Sequence, residues 1–344
     1  NFIYEAAISL RRNFVLADPL NLSMPFVALS MAIGTVWTTT QAIAFQTSIY
    51  FNKRIRSRVK DFGPAIVIMA FSALNTLPRI KKFGVPTLAV PTTFELAGGR
   101  EFLVPLNTIP VSARLLCAFP AVLLTALFFM DQNISVRVIN NPSNKLKKGP
   151  AYNLDMVALG IITAVLSMFG LPWMCGATVQ SLNHLRSMTS YKLNTETNKI
   201  EIDEVTETRF TGFAAHALIA LTIKGLAVLK YLPIPVVSGV FLYLGRKLMT
   251  GNSFFQRMRF AFADKKLLPD DNPIHVLGRK KMNMFTLLQI LCLGGLWKFK
   301  QNSSTSIFFP GVIGLLIMLR SFILPKFLTE KELIALGDPS PTLN

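Results

Sequence analysis

Residues 21–52 read NLSMPFVALSMAIGTVWTTTQAIAFQTSIYFN, and this stretch contains no charged side chain. A helix needs about 20 apolar residues to cross the hydrocarbon core of a bilayer, so the stretch is long enough to span it with residues to spare. A soluble core does not need so long an uncharged run. The stretch therefore predicts a membrane protein.

The composition of the 344-residue chain supports the same prediction. Hydrophobic residues make up 51% of it and charged residues 16%, whereas soluble domains carry about 25% charged residues. Mean hydropathy is +0.44. The 36 Lys and Arg residues outnumber 18 Asp and Glu, which gives a net charge of +18. A nucleic-acid binder would gather these charges on one soluble face, but here they alternate with apolar segments, so no nucleic-acid partner is predicted.

The order of the apolar segments predicts a polytopic topology. After a short stub at 1–10, spans are predicted at 22–51, 62–78, 111–130, 156–174, 210–231, 234–244, 284–297 and 307–324. If 52–61 is cytoplasmic and the chain alternates from there, the cytoplasmic loops hold 25 of the 36 basic residues. This count requires 175–185 to cross back as a short half-helix. The positive-inside bias therefore predicts a broken helix at Gly176.

Such a half-helix is a functional signal, because its N-terminus presents unpaired N–H groups and the positive end of the helix dipole to an anion. The small residues Gly176, Ala177 and Thr178 would let a ligand approach the backbone. The alternative is an ordinary kink in a packed helix. Asp131 and Ser135 share one helix face at the end of an apolar run, and a carboxylate so placed indicates either an ion site or a wet interfacial group.

No motif indicates enzyme chemistry. The three cysteines, Cys117, Cys175 and Cys292, fall in separate apolar segments, and we interpret them as buried structural thiols rather than a disulfide or metal framework. Neither a P-loop nor a nucleophile–base pair stands out. The sequence therefore predicts neither an enzyme nor a protein with a cofactor.

Short motifs in a fixed order give the chain a resemblance to a known family. The densest group comprises Met130–Asp131–Gln132–Asn133–Ile134–Ser135, Lys145–Leu146–Lys147–Lys148–Gly149, Asn153–Leu154–Asp155, Gly170–Leu171–Pro172–Trp173 and Ala177–Thr178–Val179. Other motifs are Phe2–Ile3–Tyr4–Glu5–Ala6, Asp61–Phe62–Gly63, Val104–Pro105, Glu207–Thr208–Arg209, 239–245, Phe285–Thr286 with Gln289, and Leu296–Trp297 with Lys300. Together they make the chain similar to the bicarbonate-transporter solute-carrier family of band 3 anion exchangers and sodium–bicarbonate cotransporters.

The resemblance implies an all-α polytopic membrane protein with an inverted-repeat (7+7) transporter fold, truncated here to about segments 5–14. Residues 1–328 would form an N-terminally incomplete membrane transport domain, and residues 329–344 a C-terminal cytosolic tail. Its gate helices would lie at 22–78 and 234–324 and its core helices at 111–231. We therefore expect a piece of a longer protein that does not transport by itself.

The resemblance also assigns roles to three side chains outside the half-helix. Asp131 matches an acidic residue that is Glu in anion exchangers and Asp in sodium-coupled members. Ser135 matches a hydroxyl position that is usually Thr in cotransporters, and the oxygens of Asp131 and Ser135 suit Na⁺. Lys300 matches an external lysine that reacts with stilbene inhibitors, and an ordinary interfacial lysine is the alternative.

At the half-helix the sequence departs from the exchangers. Ala177, Thr178 and the N–H groups of Val179 and Gln180 match the segment that caps the anion in the family. Exchangers carry Arg at the position of Gln180, whereas Gln is neutral and only hydrogen-bonds. An anion beside Asp131 would be offset only by a helix dipole of about half a charge. Either Na⁺ binds with the anion, or Asp131 is protonated when the anion binds.

These features predict secondary-active transport of bicarbonate or another inorganic anion by alternating access, either as anion exchange or as Na⁺-coupled cotransport. Asp131 with Gln180 favours cation coupling. The expected partners are bicarbonate, carbonate or chloride, Na⁺ as a co-transported ion, the lipid bilayer and a second copy in a homodimer. The expected location is the plasma membrane. A transport-inactive membrane scaffold and a borate-type anion exporter are the alternatives.

Overall fold

A computed structural model describes residues 2–17, 22–91, 96–105, 108–194, 199–250, 252–268 and 272–337. This part of the chain is mostly helical. Its helices are α1 (Phe2–Val15), α2 (Ser23–Ala44), α3 (Lys53–Thr76), α4 (Pro78–Lys81), α5 (Val111–Leu116), α6 (Ala118–Ile139), α7 (Tyr152–Met168), α8 (Thr178–Ser187), α9 (Phe210–Leu221), α10 (Leu226–Leu229), α11 (Ile234–Met249), α12 (Ser253–Phe260), α13 (Pro273–Leu277), α14 (Arg279–Gln301), α15 (Phe309–Met318) and α16 (Glu330–Ala335). Two strands, β1 (Thr189–Asn194) and β2 (Lys199–Val205), lie between α8 and α9.

Three helical segments among the described residues are long and apolar enough to cross a membrane, and two shorter helices are apolar. The long segments are Ser23–Thr47, Val111–Ile139 and Arg279–Gln301, and the shorter helices are α7 and α9. Many large apolar side chains on these helices are exposed, among them Trp37, Phe119 and Leu291. Exposed apolar faces of this extent are what a lipid environment accepts.

Several segments differ from the sequence-based prediction; for example, the span predicted at 22–51 is helical only to Thr47, and that predicted at 210–231 is divided into α9 and α10. The span predicted at 62–78 belongs to a helix that begins at Lys53, because the Asn52 side chain accepts a hydrogen bond from the Ile55 amide at 2.9 Å and caps it. The segment between the half-helix predicted at 175–185 and the span predicted at 210–231 contains an antiparallel hairpin, so the all-α prediction is wrong there. In β2, residues 200–203 alternate apolar and acidic side chains, which is the period of a half-buried strand, and two acidic residues then follow each other where the register of the hairpin shifts.

The chain divides into two compact units, Asn1–Phe94 with Ile219–Asp270 and Glu95–Leu218 with Asp271–Asn344. The predicted gate set is split between them, because 234–249 falls in the first unit and 279–324 in the second. The division into gate and core helices stays a prediction about which helices move together.

In the first unit, helices α1, α2, α3 and α11 pack against one another. Ala28, Met31, Val85 and Val236 form a buried apolar cluster at the centre. Thr35 is fully buried, and its hydroxyl donates to the Met31 carbonyl at 2.8 Å, so it adds no unpaired polar group to this core. Small residues and internally bonded hydroxyls let membrane helices approach closely.

Two loops of the first unit are joined by backbone hydrogen bonds. The Leu88 amide donates to the Leu232 carbonyl, and the Ile234 amide donates to the Pro86 carbonyl, both at 2.9 Å. These loops therefore lie on the same side of the unit. The topology predicted both of them to be external, and this same-side relation is confirmed.

In the second unit, hydrogen bonds also join loops that the predicted topology places on the same side, and they do so at both ends of the helices. At one end, the Arg100 guanidinium donates to the carbonyls of Phe169 and Gly170, at 2.9 and 3.0 Å, and caps the C-terminus of α7. Gly170 has a φ of 58°, the left-handed conformation that ends a helix at low cost for glycine. The loop before α5 and the turn after α7 thus share one side.

At the other end, the loop after α6 is joined to the hairpin. Lys147 forms a salt bridge with Glu204, the Lys145 ammonium donates to the Ile202 carbonyl at 2.7 Å, and the Lys148 amide donates to Glu207 at 3.1 Å. Glu204 also raises the pKa of Lys147, mainly through this hydrogen bond. The loop at 140–150 and the hairpin therefore share one side, as the predicted return crossing by a half-helix requires.

The start of the predicted cytosolic tail is folded. Thr329 and Glu332 form a capping box, in which the Thr329 hydroxyl accepts from the Glu332 amide and the Glu332 carboxylate accepts from the Thr329 amide. Leu333 and Leu336 are buried, and the Lys281 ammonium lies 2.8 Å from the Glu332 carboxylate. Residues 338–344 lie outside the described part of the chain.

This docking should depend on pH and on Glu332. The hydrogen bond from Lys281 and that from the Thr329 backbone lower the pKa of Glu332 from 4.5 to about 2. Because the folded pKa is the lower one, the ionised carboxylate stabilises docking above pH 4.5, and this contribution is lost as the pH falls through about 2. Glu332→Gln should speed amide hydrogen exchange across 330–336 at neutral pH. Glu330→Gln, at an exposed position of the same helix, should not.

Candidate functional site

The broken helix predicted at Gly176 is present. Helix α7 ends at Met168, residues 171–177 are not helical, and α8 begins at Thr178 and runs for ten residues. Ala177 occupies the N-cap position and forms no side-chain cap. The first amides of a helix lack intrahelical acceptors. The Thr178 amide donates to the Gly176 carbonyl at 3.1 Å, which leaves the amides of the next residues to cap a ligand.

The start of α8 lies against α6, and Ser135 is the centre of that contact. The side-chain oxygen of Ser135 lies 3.0 Å from the Asp131 carbonyl, 3.0 Å from the Gly176 carbonyl and 2.5 Å from the Thr178 hydroxyl. Ser135 is only 3% exposed. A hydroxyl has one proton, so it donates to only one of these three oxygens. The cluster is therefore rich in oxygen atoms and poor in donors.

Gly176 permits this close approach. A Cβ atom at this position would lie 2.6 Å from the Gln132 side-chain oxygen, 3.2 Å from Ser135 Cβ and 3.3 Å from Ser135 Oγ. The Gln132 oxygen ends a flexible side chain and could turn away, whereas Ser135 would have to give by a few tenths of an ångström. The absence of a side chain at Gly176 therefore favours the close contact between Ser135 and the segment before α8.

Cys175 is a site residue that the sequence-based reasoning missed. Its thiol donates to the Asp131 carboxylate, with 2.7 Å between Sγ and Oδ2. We predicted buried structural thiols, and this is wrong, because Cys117 is exposed and Cys175 and Cys292 are half-buried. The position of Cys175 directly before Gly176 was the available signal. Its contact with a residue 44 positions away could come only from the fold.

Helix α8 is held at its far end by separate contacts. Leu185 is buried, and the His184 ring nitrogen Nε2 lies 2.9 Å from the Thr211 hydroxyl. The half-helix is thus anchored at its C-terminal end while its N-terminus faces Asp131 and Ser135. This anchoring holds the start of α8, with the positive end of its helix dipole, in position beside the oxygen cluster.

The remaining predicted site residues lie in different surroundings. Ala177 and Gln180 are exposed, and Val179 is half-buried, all at the start of α8. Lys300 is exposed in the last turn of α14, with its ammonium 6.0 Å from the ring centroid of Trp297. The structure therefore brings Asp131, Ser135 and Thr178 into one cluster through direct hydrogen bonds, and it places Lys300 on another helix.

Comparison with known families identifies the family of this chain. The family model described as HCO3- transporter integral membrane domain matches residues 9–341. The chain belongs to the bicarbonate transporter family. The match covers α2 to α16, including both partners of the α6–α8 contact. The resemblance inferred from short motifs is confirmed, and the chain is part of a multi-pass membrane domain.

Several relatives in this family are named for sodium and bicarbonate. The chain is 32% identical over 322 residues to the human (Homo sapiens) sodium-driven chloride bicarbonate exchanger, covering 92% of the chain and 28% of that protein. It is 35% identical over 329 residues to the Rattus norvegicus electroneutral sodium bicarbonate exchanger 1, covering 94% of the chain and 29% of the relative. It is 34% identical over 300 residues to sodium bicarbonate cotransporter 3 of Rattus norvegicus, covering 86% and 24%. The chain thus spans less than a third of the length of these relatives.

Proposed function

We propose that the chain forms part of a secondary-active transporter that moves bicarbonate or carbonate together with Na⁺ across the plasma membrane. The inverted-repeat fold and alternating access are part of this proposal. The observation that carries it is the cluster of Asp131, Ser135 and Thr178 against the start of α8. The three relatives described above are all named for sodium and bicarbonate, which supports the same choice of ions.

The charges around the cluster favour a cation as co-substrate. Asp131 contributes one negative charge, and the neutral Gln180 stands where anion exchangers carry Arg. Bicarbonate at the α8 N-terminus would face the Asp131 carboxylate with only about half a positive charge from the helix. Electrostatic repulsion is stronger in the low dielectric of a membrane domain than in water. A bound Na⁺ removes this repulsion and supplies the missing positive charge.

The chemistry of the cluster also suits Na⁺. The Ser135 and Thr178 hydroxyls, the Gly176 carbonyl and the Asp131 carboxylate are hard oxygen donors, which hard cations prefer. The amides at the start of α8 are donors and suit the anion. The two ion types would therefore bind side by side, with the cation near α6 and the anion near the α8 amides.

Ion replacement tests this function. We expect bicarbonate-dependent recovery from an acid load, in cells expressing the gene product that contains these residues, to fall at least about fivefold when Na⁺ is replaced by N-methylglucamine, the lower end of typical coupling between two ligands. Intracellular pH dyes measure the rate. Recovery that is unchanged without Na⁺ would overturn the proposal. Removing internal chloride in a parallel arm separates exchange from cotransport.

The same experiment addresses the scaffold alternative. If the protein reaches the cell surface and no bicarbonate-dependent recovery occurs under any ion condition, the protein is a scaffold rather than a transporter. Surface biotinylation supplies the expression control, since it separates a silent protein from one that is not delivered.

A further inference from the structure

One polar contact of the α6–α8 cluster involves an atom that Na⁺ does not favour as a ligand. It is the hydrogen bond from the Cys175 thiol to Asp131, with 2.7 Å between Sγ and Oδ2. Cys175 is half-buried and lies in the non-helical segment before α8. Sulfur is a soft ligand, whereas hard cations prefer oxygen. The contact with Asp131 therefore indicates a role other than coordination of the ion.

The thiol leaves one oxygen of the Asp131 carboxylate without a partner. Oδ2 accepts the hydrogen bond from Cys175, and Oδ1 accepts none from the residues that the structure describes. The last side-chain torsion of Asp has broad minima, so a carboxylate without a partner samples many orientations. The hydrogen bond to Oδ2 opposes this rotation. One oxygen is thus held by the protein, and the other is left for a cation.

The thiol is itself held in place by the contact between α6 and the segment before α8. Cys175 contacts Asp131, and the next residue, Gly176, accepts a hydrogen bond from Ser135 at 3.0 Å. Asp131 and Ser135 lie one turn apart on the same face of α6. Two successive residues of the segment therefore match two successive turns of the helix. A ligand group supported in this way keeps its geometry when the site is empty.

Cys175 orients Asp131 without neutralising it. A thiol is an uncharged donor, whereas Lys or Arg at this position would bring a positive charge. Asp131 forms no salt bridge in the part of the chain that the structure describes. The carboxylate therefore keeps the negative charge that attracts a cation, and only its orientation is constrained.

We propose that Cys175 is a positioning residue for the Na⁺ site: its thiol fixes the Asp131 carboxylate and so raises the affinity for Na⁺ without contacting the ion. This role rests on the Na⁺-coupled function proposed for the cluster. A group that is already oriented loses less conformational freedom when it binds a ligand, and the ligand is bound more tightly. The effect therefore belongs to the Na⁺ affinity rather than to the maximal rate.

The Na⁺ dependence of bicarbonate-dependent pH recovery tests this role. In Cys175→Ala, the Na⁺ concentration that gives half the maximal rate should rise about fivefold, which corresponds to about 1 kcal/mol, a typical net contribution of one hydrogen bond. The rate at saturating Na⁺ should change by less than about twofold. Cys175→Ser keeps a donor and should stay close to the unmodified protein. Cys292→Ala, which removes a half-buried thiol on α14, is the matched control and should change neither quantity.

Two kinetic results contradict this role of Cys175. The first is a half-saturating Na⁺ concentration that is unchanged or lower in Cys175→Ala, since a lower value means that the thiol competes with Na⁺ for the carboxylate. The second is a lower maximal rate in both Cys175→Ala and Cys175→Ser with the same Na⁺ affinity. In that case Cys175 only supports the packing of the segment.

Infrared spectroscopy of the purified protein tests the hydrogen bond without Na⁺ or transport. A hydrogen bond to a carboxylate weakens the S–H bond and lowers its stretching frequency. The band lost in Cys175→Ala should therefore lie at a lower frequency than the band lost in Cys292→Ala. It should move to a higher frequency in Asp131→Asn, because a neutral amide is a weaker acceptor than a carboxylate.

The two measurements separate failure of this role from failure of the proposed function. A Cys175 band at the same frequency as the Cys292 band shows that the hydrogen bond is absent, which overturns the role of Cys175 and leaves Na⁺ coupling intact. Recovery that does not depend on Na⁺ in the unmodified protein overturns the proposed function, and with it any role of Cys175 in Na⁺ binding.

Discussion

Replacing Asp131 by Asn should weaken Na⁺ binding, so that bicarbonate transport at a fixed Na⁺ concentration falls and more Na⁺ is needed to activate it. Asn has nearly the same shape and can still accept from the Cys175 thiol, so the packing of α6 against the segment before α8 should survive. The change removes the only charged side chain among the residues joined by the cluster's hydrogen bonds. Two unit charges 4 Å apart attract by about 4 kcal/mol at an effective dielectric constant of 20. Even half of this, about 2 kcal/mol, corresponds to roughly a thirtyfold loss of Na⁺ affinity.

The measurement is the initial rate of bicarbonate-dependent pH recovery over a range of Na⁺ concentrations. Asp203→Asn is the matched control, because Asp203 pairs with Lys192 on the surface of the hairpin. The same variant also distinguishes the two ways of balancing charge. If Asp131 is instead protonated when the anion binds, Asn imitates that state and anion transport persists without Na⁺. A Na⁺ dependence equal to that of the unmodified protein would mean that no cation binds at Asp131.

Gly176→Val should be the most damaging substitution in the half-helix. A Cβ atom at Gly176 would lie 2.6 Å from the Gln132 oxygen, which ends a flexible side chain and can turn away, and 3.2 Å from Ser135 Cβ, which must give by a few tenths of an ångström. The two methyl groups of Val add to this crowding, so we expect the oxygen contacts of Ser135 to be disrupted. Since a displacement of about 1 Å at a binding site can reduce rates about a hundredfold, we expect transport to fall close to background.

Gly160→Val provides the control for Gly176→Val. Gly160 lies within α7, and a Cβ atom there meets nothing within 4 Å, so the added side chain has open space. Surface expression and thermal stability of both variants should be measured with transport. If both variants lose transport equally, the effect of Gly176→Val is a general one on membrane folding. If Gly176→Val transports normally, the α6–α8 contact does not form the ion site.

Several features of the fold were predictable because they depend on local composition. The uncharged run at 21–52 and the alternation of basic loops with apolar spans both reflect the cost of placing charge in a bilayer. That cost applies to each segment separately, so its effect can be recognised in a single sequence. The return crossing at 175–185 followed from counting charges, and the joined loop and hairpin at 145–148 and 199–207 agree with it.

Other features depended on contacts between distant residues. The acidic alternation in β2 was visible as a pattern, but only pairing with β1 across a turn makes it a hairpin. The docking of α16 depends on Lys281, 51 positions before Glu332. Nothing in the sequence around Lys281 or Glu332 indicates the partner, because any exposed charge can form an ion pair or a capping contact.

The sequence by itself determined that this protein is a membrane protein of the bicarbonate transporter family, and it predicted an ion site where Asp131 and Ser135 precede a broken helix. Only the tertiary structure decided that Cys175 donates to Asp131, and that Ser135 touches the Gly176 carbonyl and the Thr178 hydroxyl. The physical reason is that the hydrophobicity of a segment depends on its own sequence, whereas hydrogen-bond geometry depends on how closely two segments approach.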